Sequence, residues 1–144
     1  MHRYTNKKHP GGFMTVSIAH LGPPGTYAEQ AALAYIDLIS ASPTATTLHP
    51  CNSIARTIHS TAEGDTQLTM APVENSIEGS VATTLDTFWQ CSDLQIHQAL
   101  VLPIRHVLIA QTHNLEEIST VYSHPQALGQ CQRWLALHLS LIHI

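Results

Sequence analysis

The sequence predicts an α/β fold, with helices packed on a largely parallel sheet. Two observations predict it. Short apolar or alternating runs are each followed by a polar loop and then by a stretch of helical periodicity, and this strand-loop-helix unit recurs along the chain. The composition is that of a packed chain: 44% of residues are hydrophobic and 11% charged, too apolar for disorder. A length of 144 residues leaves room for one domain or two small lobes.

The elements follow in order. Thr15–Leu21 (TVSIAHL) alternates and reads as a strand. Gly22-Pro23-Pro24-Gly25 is a turn. Thr26-Tyr27-Ala28-Glu29 has the capping-box spacing, in which a hydroxyl and a carboxylate three residues later satisfy the free N–H groups of a helix start. The alanine-rich helix then runs to about Ser40, and Ser42-Pro43 breaks it. Ala45–His49 is a weak strand. Asn52 or Ser53 caps the next helix, which Gly64 ends. Gln67–Val73 is a strand with Pro72 at its end. Ser80–Gln90 places Val81, Leu85, Phe88 and Trp89 on one helical face. Leu94–Gln111 is expected to hold one or two strands, interrupted near Pro103. Asn114–Glu117 repeats the capping-box pattern, Thr120–Tyr122 is a short strand, and Pro125 suits the first position of a helix that runs to about His138. Trp89 and Trp134 are expected in the core.

Charge narrows the function. Net charge is −4, and both lysines, Lys7 and Lys8, lie near the start. Beyond them the permanent cations are Arg56, Arg105 and Arg133, so no nucleic-acid or membrane partner is expected. Arg105 sits in an apolar segment and suits an ion pair between lobes as well as a ligand contact. Three cysteines, Cys51, Cys91 and Cys131, without a C-x-x-C pair suggest reduced thiols and a cytoplasmic location. Eleven histidines fall in no clustered ligand spacing, so no metal site is expected. No apolar run reaches the ~20 residues of a membrane helix.

Both ends look foreign to the fold. Residues 1–13 read as a non-native or disordered tail, or as upstream sequence. At the other end, helical pattern runs into LSLIHI without a stop signal. Residues 139–144 match the translation of a common transposon-derived sequencing adapter, which sets the expectation that the native sequence ends near His138.

Three polar loops remain: GPPGTYAEQ, PVENSIEGS and YSHPQALGQ. Each follows an expected strand and opens an expected helix. In α/β folds ligands bind beyond the carboxyl ends of strands, where helix N-termini present free N–H groups and a partial positive charge. Three such ends facing one cleft would hold a dianion without lysine. Each loop also has a plainer reading. Thr26 fits a simple helix cap, Asn75 and Ser76 an ordinary turn, and His124 a turn residue as well as an acid or base. Glu74 and Glu78 read as solvated or paired charges.

Taken together and in this order, IAHLGPPGTYAEQAA, APVENSIEGSV and VYSHPQALGQCQRWL resemble the prephenate dehydratase family over about Val16 to His138. The resemblance implies a two-lobed, periplasmic-binding-protein-like (type II) architecture with the active site between lobes. The first lobe would span about 14–80 and an incomplete second lobe about 81–138. It implies an enzyme of phenylalanine biosynthesis that converts prephenate to phenylpyruvate with loss of water and carbon dioxide, without metal or cofactor. Thr26 belongs to the first loop, Asn75, Ser76, Gly79 and Ser80 to the second, and Ser123, His124, Gln126 and Gln130 to the third. The resemblance places Asn75, Ser123 and Gln130 near the chemistry, with His124 a candidate acid. Thr26, Ser76, Gly79, Ser80 and Gln126 are then substrate-binding.

One family motif, Thr-Arg-Phe, carries a catalytic threonine and does not occur in these 144 residues. Nor do the rest of the second lobe and the ACT domain that binds phenylalanine in full-length, homo-oligomeric members. The expectation is therefore a fragment without turnover. Arogenate dehydratase and a non-catalytic carboxylate-binding module are the alternatives.

Overall fold

A computed structural model describes residues 15–39 and 45–139. Its centre is β1 (Thr15–Leu21), flanked by β2 (Ala45–Cys51) and β3 (Leu68–Met70) in a three-stranded sheet ordered β2-β1-β3. Both pairings are parallel, with Ile18 opposite Leu48 on one side and Leu68 on the other. Ile18, Ala19 and His20 are buried in succession, the mark of a central strand covered on both faces. Helices α1 (Tyr27–Ile39) and α2 (Ile54–Ala62) both pack against this sheet. Ile18, Ala32 and Tyr35 form the core, and Leu48, Leu68 and Met70 close around it.

The helix starts follow the sequence. Ser53 caps α2 by accepting the backbone N–H of Arg56 at 3.1 Å, and Gly64 ends it at φ 83°. α3 (Ala82–Gln90) lies where it is expected but buries a different face. Thr84 and Thr87 are buried, and their hydroxyls donate to the carbonyls of Pro72 (2.6 Å) and Thr83 (2.7 Å). Leu85 is exposed, and Trp89 is 89% exposed, so Trp89 is not a core residue. These threonines bury well because each hydroxyl finds a backbone acceptor at once.

The expected strands within Leu94–Gln111 and at Thr120–Tyr122 do not form. Alternating β-branched residues suit a strand, but a strand also needs a ladder partner, and none pairs with them among the described residues. Val107 and Ile109 are accordingly 80% and 88% exposed. The second capping-box pattern yields a single 3-10 turn, Leu115–Glu117, with Asn114 accepting the N–H of Glu116. α4 (Pro125–His138) begins at Pro125 as expected. Trp134 stacks on His138 and is 42% exposed, again outside the core.

The chain divides into two compact units. One takes the chain through Glu74 together with Ser80–Leu102; the other takes Asn75–Gly79 together with Pro103 onward. The sheet, α1, α2 and α3 belong to the first, and α4 to the second. No helix among the described residues is long and apolar enough to cross a membrane. The tail at residues 1–13, the Ser42-Pro43 break and residues 140–144 lie outside the described residues.

Candidate functional site

The first loop is built around Thr26. Its hydroxyl accepts the N–H of Glu29 at 3.3 Å and donates to the carbonyl of Leu21 at 3.1 Å. Glu29 reaches back to the N–H of Gly25 at 2.6 Å, one residue earlier than the standard reciprocal bond. Gly22 at φ 80° lets the chain leave β1, and its N–H bonds the carbonyl of Cys51 at 2.7 Å. Thr26 therefore fastens the end of β1 to the start of α1. The loop lies in the first compact unit.

The second loop is a small hairpin, β4 (Glu74–Asn75) and β5 (Gly79–Ser80). Asn75 shapes its tip. The side-chain oxygen accepts the N–H groups of Ile77 and Glu78 at 2.9 and 2.8 Å, and its amide donates to Glu78 at 3.1 Å. This is an Asx turn, the local use of asparagine that its spacing allows. Gly79 closes the tip at φ 76°, in open space. Ser76 and Ser80 are exposed.

The third loop opens α4. His124 is its N-cap, with Nδ1 accepting the N–H of Gln126 at 3.2 Å. That bond needs the Nδ1 lone pair, so the neutral ring carries its proton on Nε2, and any proton it transfers while capping must pass through Nε2. Ser123 is exposed, and its hydroxyl has no hydrogen bond among the described residues. Gln126 and Gln130 are one turn apart on α4 and share a face. Gln126 donates to the carboxylate of Glu78 at 2.8 Å. Gln130 accepts from Nε2 of His106 at 2.6 Å.

The second compact unit thus brings together the tip of the second loop and the whole of the third. Asn75, Ser76 and Gly79 lie in it with Ser123, His124, Gln126 and Gln130, while Thr26 and Ser80 lie in the first unit. Two residues were missed by reasoning from sequence. Glu78 read as a solvated or paired charge and not as part of the site, although Asn75-x-x-Glu78 before a glycine has the spacing of a closed turn. His106 gives no local signal, being 24 residues from Gln130.

Among the described residues no arginine is bonded to these loops. Arg56 binds Glu63 at 2.7 Å and Asp65 at 2.9 Å in the first unit. The hydrogen bond and charge of Glu63, followed by those of Asp65, raise the Arg56 guanidinium above its ordinary value. Arg105 is exposed and forms no ion pair among the described residues. Two open hollows among the described residues lie elsewhere. One of about 420 Å³ is lined by His49, Asn52 and Arg56, and one of about 480 Å³ by Leu108, Leu115 and Trp134; neither is lined by any of the nine candidate residues. What Asn75–Gly79 and the start of α4 offer is polar and uncharged apart from Glu78: carboxamides, a serine hydroxyl, an imidazole and a helix start, suited to orienting oxygen-rich ligands.

Comparison with known proteins agrees with these motifs. The family model described as prephenate dehydratase matches residues 18–144. A prephenate dehydratase of Methanocaldococcus jannaschii is 38% identical over 125 residues, which cover 87% of this chain and 43% of that protein. A bifunctional chorismate mutase/prephenate dehydratase of Aquifex aeolicus is 36% identical over 129 residues, 90% of this chain and 34% of its own length. One of Pseudomonas aeruginosa is 36% identical over 124 residues, covering 85% and 32%. The chain therefore spans 32% to 43% of the length of these relatives. No solved structure matches significantly. The match over nearly the whole chain shows that the chain belongs to the prephenate dehydratase family.

Proposed function

We propose that these residues form part of a site for prephenate, in an enzyme that converts it to phenylpyruvate. The reaction consumes one proton. The ring hydroxyl leaves as water, the ring carboxylate leaves as carbon dioxide, and the electrons of the broken C–C bond complete the aromatic ring. A protein accelerates this by orienting the dianion, donating a proton to the hydroxyl and stabilising the departing groups.

The single observation that carries this reading is the Glu78–Gln126 hydrogen bond, which joins the second and third motifs within one unit. Asn75, Gln126 and Gln130 supply orientable carboxamides, Ser123 a hydroxyl with no hydrogen bond among the described residues, and His124 a proton on Nε2. Ser76 and Gly79 shape the same tip. Thr26 and Ser80 complete the substrate-binding set in a two-lobed, periplasmic-binding-protein-like enzyme of the cytoplasm, homo-oligomeric at full length. Turnover belongs to a chain that also supplies a Thr-Arg-Phe segment; the 144 residues alone bind without turning over.

The test is phenylpyruvate formation from prephenate, run on this chain and on one extended to include a Thr-Arg-Phe segment. Activity is expected only in the extended chain. Turnover by the 144 residues would overturn the assignment of inactivity, and none from either chain would overturn the functional reading. Running arogenate in parallel separates the two substrates.

A further inference from the structure

Glu78 lies outside the set of residues that the motifs assign to the site, yet it touches side chains of both the second and the third loop. Its Oε2 accepts Nδ2 of Asn75 at 3.1 Å and Nε2 of Gln126 at 2.8 Å. The oxygen of Asn75 is meanwhile occupied by the N–H groups of Ile77 and Glu78. A carboxamide gripped this way has one orientation. Turning it over would set its NH2 against two N–H donors and its oxygen against a carboxylate. The same anion draws the NH2 of Gln126 toward itself and leaves Oε1 as the end that can accept a proton donor.

We propose that Glu78 is a positioning residue of the site: its carboxylate fixes the amide orientation of Asn75 and Gln126 and holds the second loop on the first turn of α4. The proposal rests on the reading that these loops bind prephenate. It also makes a prediction opposite in sign to simple electrostatics. A carboxylate near a dianion repels it, so on charge alone Glu78→Gln would tighten prephenate binding. Positioning requires the reverse, because the neutral amide is a weaker acceptor and cannot restrain both NH2 groups.

The experiment is calorimetric titration of prephenate into this chain, its Glu78→Gln variant and a Glu116→Gln variant. Glu116 is exposed in the same unit and supplies the charge control. The expected result is binding on the order of tenfold weaker in Glu78→Gln, as loss of a charge-assisted hydrogen bond implies, and unchanged or slightly tighter in Glu116→Gln. Unchanged or tighter binding in Glu78→Gln overturns the proposal.

A second readout needs no ligand. Hydrogen exchange at the side-chain amides of Asn75 and Gln126, followed in nitrogen–proton correlation spectra, is expected to be severalfold faster in Glu78→Gln; equal rates overturn the proposal. Absence of prephenate binding by the unsubstituted chain would count against the function reading, while the amide exchange would still decide the role of Glu78.

Discussion

Nε2 of His106 donates to Oε1 of Gln130 across 2.6 Å, from an irregular segment to the second turn of α4. The bond takes the carbonyl end of the carboxamide and so directs its NH2 away from the imidazole. Gln130 is thereby prepared to donate, and His106 is what prepares it. Replacing His106 by alanine should weaken prephenate binding severalfold while leaving the melting temperature nearly unmoved, since His106 is exposed. Titration and thermal melting of the same sample check this. Equal affinity would remove His106 from the site.

Thr26 is tied at both ends, to Leu21 and to Glu29. Thr26→Ala should cost about 1 kcal/mol of folding stability, the usual loss of a hydroxyl cap. Thr26→Ser should recover most of it. Denaturant unfolding of the three proteins is the measurement. Identical midpoints for all three would show that the cap contributes nothing.

Gly22 and Gly79 share a left-handed backbone, at φ 80° and 76°, but differ in surroundings. A Cβ at Gly22 would stand 3.0 Å from Cγ2 of Thr26, whereas one at Gly79 meets nothing within 4 Å. Alanine at either carries the left-handed penalty of about 1–2 kcal/mol. Only at Gly22 is a clash added, so Gly22→Ala should be the more destabilising. The reverse order in an unfolding titration would contradict the geometry.

Ser53, the N-cap, and Arg56, in the first turn of α2, should behave differently. Ser53→Ala removes a cap and should lower stability by about 1 kcal/mol. Arg56→Gln removes two short ion pairs, but between half-exposed side chains, and should shift the melting point less. The raised Arg56 value gives a definite sign with pH. Its contribution is present below the unfolded value and is lost only as pH rises through strongly alkaline solution. Between pH 6 and about 9, Arg56 itself should add no pH dependence. Thermal melts of both variants across that range decide it.

The local signals in the chain were legible and the distant ones were not. The alternation of Thr15–Leu21, the Thr26–Glu29 spacing, Ser53 before α2 and Pro125 at the start of α4 each act within a few residues, and each formed. The strands expected in Leu94–Gln111 depended on a partner elsewhere in the chain, which propensity does not supply. The buried face of α3 went to Thr84 and Thr87 instead of Leu85 and Trp89 because acceptors at Pro72 and Thr83 made burial of a hydroxyl inexpensive. At the site, the second and third loops could be picked out from their polarity alone. Their connection through Glu78 and the link from His106 to Gln130 span 48 and 24 residues, beyond the reach of spacing arguments.

The order of the sheet sets the order in which it can assemble. β1 comes first in the chain, yet both strands that pair with it come later: Ile18 meets Leu48 across 30 residues and Leu68 across 50. Closing the longer loop costs only about 0.5 kcal/mol more than the shorter one. During synthesis β1 therefore waits on the ribosome for its neighbours. It can gain β2 first, as a parallel pair whose other edge stays open, and becomes a central strand only after Met70 has emerged. Until then its most apolar residues are the exposed edge of an unfinished sheet, and chaperone protection would matter most in that interval.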